Sequence, residues 1–149
     1  MTDVLFYHLT ETRLEDALPA LLEKCLERGW KVGVEMRDAD RREKLDQHLW
    51  TYREDSFLPH GTDDAEMADS QPVLLSLSSH NGNQATVRFY IDGAVPELPL
   101  LYERVVFVFD GHDQRELEIA RGEWKRLKGE GHSLTYWQQN NQGRWEKKA

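Results

Sequence analysis

The chain has 149 residues, 31% of them charged, with a formal net charge of −8 and a single cysteine. That length fits one domain able to bury roughly two thirds of the surface its unfolded chain exposes. No apolar run approaches the ~20 residues that span a bilayer, which excludes a membrane helix, and the acidic excess argues against the chain gripping a phosphate backbone by itself.

Val4 to Tyr7 reads as a short buried strand that opens the chain. Asp3 falls inside this strand-like run, and no basic segment leads into an apolar stretch, so no secretory signal is expected. Thr12 is placed to cap a helix whose apolar positions Leu14, Ala17, Leu18, Leu21, Leu22, Cys25 and Leu26 recur at helical spacing. Pro19 interrupts it, predicting a kink there or a regular part that begins close to Pro19. Cys25, among leucines, reads as a buried thiol, which fits a reducing, cytoplasmic setting. Gly29 ends the helix and a strand centred on Val32 to Val34 follows. Asp38 or Asp40 then caps a second helix reaching about Trp50.

From Leu49 to Gly61 the chain concentrates Trp50, Tyr52, Phe57 and Leu58 around Pro59. This is more apolar surface than one short connection usually buries, so it reads either as core plus a structural turn or as a docking surface. The acidic stretch 61–71 reads as a loop, Val73 to Leu77 as a strand, Asn81-Gly82 as a turn and Ala85 to Ile91 as another strand. The segment from Val73 to Ile91 predicts a local antiparallel insertion. Arg104 to Phe109 is the clearest buried strand, with Val105 to Phe109 apolar in succession. Asp113 caps a helix through Lys128, and a last strand runs from Leu134 to Gln138 with Trp137 packed and the amides after it exposed. Strands alternate with helices, so the expected fold is α/β with a mixed, largely parallel sheet.

Three places invite chemistry. The turn after the first strand, His8 to Thr12, has no glycine and carries Glu11, which argues against a phosphate cradle and dinucleotide binding. Asp110, His112 and Asp113 follow a strand, where open α/β sheets place ligands, and could serve a small metal-dependent enzyme; turn and cap chemistry accounts for them as well. On the last helix, Leu117, Ala120, Trp124 and Leu127 form an apolar stripe beside a basic one of Arg121, Lys125 and Lys128. That border suits an acidic peptide ending in an aromatic residue with a free carboxylate. Equally, Trp124 could be core and the cations a complement to the helix C-terminus. Charge is unevenly spread: residues 1–120 carry 12 basic and 24 acidic residues, residues 121–149 carry 7 and 3. The basic end suits an acidic partner.

Phe6-Tyr7, Leu45-Asp46 with Leu49-Trp50, Ser56 to His60, Phe109 to Asp113, Ala120-Arg121 with Trp124-Lys125, and Tyr136 to Gln139 follow one another in an order and spacing that resemble the chi subunit of bacterial DNA polymerase III holoenzyme. The resemblance extends along nearly the whole chain. It implies a single Rossmann-like domain with no catalytic residues, cofactor or metal, an accessory of the clamp-loader assembly that meets nucleic acid only indirectly. It also implies binding of the acidic C-terminal tail of single-stranded DNA-binding protein through Arg121, Trp124 and Lys125, with Arg126 and Lys128 as helpers. Leu117 stands where the family can carry a basic residue. Trp50, Phe57, Leu58 and Pro59 would face the psi subunit where one exists; a pure scaffold subunit would use this surface alone.

Overall fold

The computed structural model describes residues 2–52 and 58–149. The strands are β1 (Asp3–Leu9), β2 (Val32–Glu35), β3 (Gly61–Thr62), β4 (Val73–Ser76), β5 (Val87–Tyr90), β6 (Arg104–Asp110), β7 (Ser133–Gln139) and β8 (Trp145–Lys147). The helices are α1 (Leu14–Glu27), α2 (Ala39–Thr51) and α3 (Gln114–Gly129). All strands join one sheet in the order β3-β4-β2-β5-β6-β1-β7-β8. Every neighbouring pair is parallel except β7 with β8. The expected α/β class with a mixed, largely parallel sheet is therefore the observed one.

Strand alternation divides the core between the two faces. Leu9, Val34, Phe89, Val106 and Val108 pack with the apolar stripes of α1 and α2. Val4, Phe6, Val105, Phe107 and Phe109 pack with Ala120 and Leu127 of α3. Central β1 and β6 are thus covered on both sides, which is why Val105 to Phe109 reads as an unbroken apolar run.

Three expectations are corrected. Thr12 does not cap α1: the N-cap is Arg13, without a side-chain cap bond, and the helix starts at Leu14 and passes through Pro19. The Thr12 hydroxyl instead accepts a hydrogen bond from Gln139 Nε2 at 2.8 Å. Residues 61–71 are not merely a loop. Gly61 and Thr62 pair with Leu74 and Leu75 as an edge strand, and buried Arg42 on α2 holds Asp63 (2.6 Å) and Asp64 (3.1 Å). Two residues are too few to show a period in sequence.

The antiparallel insertion does not exist. β4 and β5 lie on opposite sides of β2, both parallel to it. Residues 77–86 return the chain across one face: the Ser78 carbonyl accepts from Arg88 Nη2 (2.6 Å), and Asn83 Nδ2 donates to the Val32 and Gln71 carbonyls. Arg88 itself is fully buried against Glu35 (2.8 Å) and passes over Gly33, where a Cβ would sit 2.6 Å from Nη1. The mixed character comes from β8, an unpredicted strand whose Trp145 packs edge-on to Tyr7 at 4.9 Å.

Candidate functional site

Helix α3 begins where Asp113 Oδ1 accepts the N–H groups of Arg115 (2.9 Å) and Glu116 (3.2 Å). From that start its wheel buries Ala120 and Leu127, half-buries Leu117 and Trp124, and leaves Arg121, Lys125 and Lys128 exposed. The parallel pairing of β1 with β7 sets Phe6 beside Tyr136 beneath this helix. Trp124 stands edge-on to both, at 5.3 Å from Phe6 and 5.8 Å from Tyr136. It is core at its base and surface at its rim.

Between α3 and β7 opens a cavity of about 480 Å³, lined by Leu117, Ala120, Arg121, Trp124 and Lys125 from the helix, His8 and Tyr136 from the sheet, and Ala149 at the margin. Its size is that of a small-ligand or side-chain pocket. Among the described residues, neither Arg121 nor Lys125 has an ion-pair partner, whereas Arg13, Arg41, Arg42, Arg88 and Arg126 all do. Two unpaired cations beside an aromatic wall can bind an anion attached to an apolar group.

Of the predicted tail residues, the cavity gathers Arg121, Trp124 and Lys125. Arg126 turns the other way, donating from Nη2 to the Pro96 carbonyl (2.8 Å) and to Glu123 (2.5 Å). Lys128 is exposed outside the lining. Sequence reasoning missed His8 and Tyr136. His8 Nδ1 lies 2.7 Å from the Tyr136 hydroxyl. Burial first, then His112 and Arg121, hold the His8 pKa below its ordinary value, with Asp110 opposing. Burial raises that of the Tyr136 phenol, and Arg121 opposes it. The alternation that puts Phe6 inward also puts His8 inward, a signal available once β1 is given a neighbour.

The turn after β1 is closed from within. Gln139, predicted to be exposed, is buried, and its Oε1 accepts the N–H groups of Thr10 (3.0 Å), Glu11 (3.0 Å) and Thr12 (3.2 Å). Converging main-chain N–H groups at a strand–helix turn are the usual cradle for phosphate. Here an amide oxygen of the same chain fills it.

Asp110, His112 and Asp113 are engaged in local structure. Asp110 Oδ1 accepts the His112 N–H at 2.8 Å, Asp113 caps α3, and His112 Nε2 contacts the Thr10 carbonyl at 2.8 Å. No group of three His, Cys, Asp or Glu side chains suited to a metal ion occurs among the described residues.

On the opposite face of the sheet, Trp50 is 48% exposed at the end of α2, with its ring 4.3 Å from that of buried His60. Leu58 belongs to the core, 1% exposed, and Pro59 is half-buried. Phe57 lies outside the described residues. Of the predicted psi-facing set, Trp50 and Pro59 therefore present surface, and Leu58 does not.

A largely parallel sheet with helices packed on both faces defines a single Rossmann-like α/β domain. The chain belongs to the DNA polymerase III chi subunit family: the family described as "DNA polymerase III chi subunit, HolC" matches residues 1–135. It is 26% identical over 151 aligned positions to the "Probable DNA polymerase III subunit chi" of Rickettsia prowazekii, covering 96% of this chain and 90% of that one. It is 29% identical over 142 positions to the "DNA polymerase III subunit chi" of Pseudomonas aeruginosa, covering 90% and 94%. The family is an accessory subunit of the polymerase, generally non-catalytic. No helix among the described residues is long and apolar enough to cross a membrane.

Proposed function

We propose that this chain is a tethering subunit of the cytoplasmic replication machinery. It captures the acidic C-terminal tail of single-stranded DNA-binding protein and so holds the polymerase assembly near coated template. The observation that carries this reading is the cavity between α3 and β7, where Arg121 and Lys125, without ion-pair partners among the described residues, stand beside Trp124 in a chain of net charge −8. An aromatic side chain fits against Trp124 and Tyr136, its carboxylate against Arg121 and Lys125, and preceding acidic residues meet the basic end of the helix. Several tails on one binding-protein oligomer raise the local concentration, so a weak single contact suffices.

Exposed Trp50, on the other face of the sheet, supports a second docking surface for psi or an equivalent clamp-loader subunit. Partners on opposite faces would not compete for the same ground.

Calorimetric titration with an acidic peptide ending in Pro-Phe tests the tail reading, using wild type and an Arg121→Ala/Lys125→Ala variant. Saturable binding that the variant loses is the expected result. No binding by wild type at peptide concentrations near about 1 mM, where only ~4 kcal/mol of affinity is needed, would sink it. The scaffold reading would then stand, with Trp50→Ala losing a clamp-loader partner that Arg121→Ala retains.

A further inference from the structure

We propose that His8 is a protonatable third cation of the α3–β7 cavity, tightening its hold on a peptide carboxylate as pH falls. The inference rests on the tail-binding reading and adds to it a residue of the opposite wall. Helix α3 supplies two cations to the cavity, Arg121 and Lys125, and one turn earlier it supplies only Leu117. His8 lines the same cavity from β1.

The ring is held in place on three sides. Its Nδ1 meets the Tyr136 hydroxyl at 2.7 Å, the Phe109 ring lies 5.1 Å away, and Gly111 makes the room, since a Cβ there would come within 2.2 Å of Nε2. Nε2 has no hydrogen-bond partner among the described residues. The Tyr136 hydroxyl suits either charge state, donating to Nδ1 of a neutral ring and accepting from Nδ1–H of a charged one.

The charged and titratable groups facing His8 or sharing its cavity are Arg121 and Lys125 from α3, Tyr136 from β7, and Asp110 and His112 from the turn after β6. Burial, and after it His112 and Arg121, favour the neutral ring, with Asp110 opposing them. A carboxylate entering the cavity reverses this balance. It neutralises Arg121 and puts negative charge beside His8, so the ring binds a proton more readily. By linkage, a ligand that raises the pKa of His8 must itself bind more tightly as pH falls through that range. The peptide's own carboxylates, with ordinary values near ~4, stay ionised throughout.

Titration of the full chain with an acidic peptide ending in phenylalanine, at about pH 8 and about pH 6, tests the proposal in wild type, His8→Gln and His112→Gln. A rise of roughly three- to tenfold in wild-type affinity is expected, each unit of pKa rise on binding giving about tenfold. His112→Gln keeps the rise and His8→Gln flattens it. Should His8→Gln fail to fold, side-chain NMR of wild type decides the matter: the His8 midpoint moves up on saturation with peptide. An unmoved midpoint, or the same pH profile in wild type and His8→Gln, would overturn the proposal while leaving tail capture intact. Absence of peptide binding at both pH values removes tail capture and the proposal together.

Discussion

Gln139 shows how much one side chain can organise. Its carboxamide ties β7 to the turn after β1, accepting three N–H groups and donating to the Thr12 hydroxyl and the Gly143 carbonyl. Removing it leaves three main-chain donors of a part-buried turn without their acceptor. Gln139→Ala is expected to cost about 1–3 kcal/mol, read as a lower urea midpoint at unchanged slope. In sequence this residue passed for an exposed amide, because its partners lie 127–129 positions away. Arg121, Trp124 and Lys125 were legible for the opposite reason: one helical wheel contains them all. His8 and Tyr136 complete the same cavity from β1 and β7, and their meeting depends on strand adjacency, which no local pattern encodes.

At the scale of the element, α3 was readable from its cap to its last turn. Asp113, the apolar stripe and the basic stripe all obey local rules, and the helix lies where they put it. Its first turn carries a titration that stability should report. Burial, reinforced by Asp113 and Asp92, pushes the Glu116 carboxyl up to about 7, although the Asp110 N–H donates to its Oε1 at 3.2 Å. A carboxyl with a raised folded pKa favours the folded state when protonated, so its contribution is complete below the unfolded value of 4.5 and is lost as pH rises toward about 7. Glu116→Gln keeps the acceptor and removes the charge. Chemical denaturation should therefore find the variant gaining on wild type between those pH values; equal pH dependence would refute the assignment. β4 and β5 were the misleading elements. Their separation by a turn-rich segment looks like a hairpin, yet β2 lies between them and pairs in parallel with both, a placement set by partners outside the segment itself.

For the whole molecule, the alternation of strands and helices gave the fold class, while strand order and the closing strand β8 required three-dimensional information. The charge division was visible in sequence, and the structure gives it a location: basic residues of α3 lie beside the cavity on an otherwise acidic chain. Long-range repulsion from the acidic body and short-range attraction at the cavity respond differently to salt. At ~1 M salt the Debye length falls to about 3 Å, so the peptide affinity should weaken yet remain measurable through the apolar contact with Trp124. Calorimetry across a salt series checks this, and complete insensitivity to salt would mean that Arg121 and Lys125 take no part.

The glutamine in the β1–α1 turn sets a threshold for any competing anion. An occupant that is covalently part of the chain is present at an effective concentration that a dissolved anion must exceed to displace it. A dissolved phosphate would have to displace Gln139 before reaching the N–H groups of Thr10, Glu11 and Thr12.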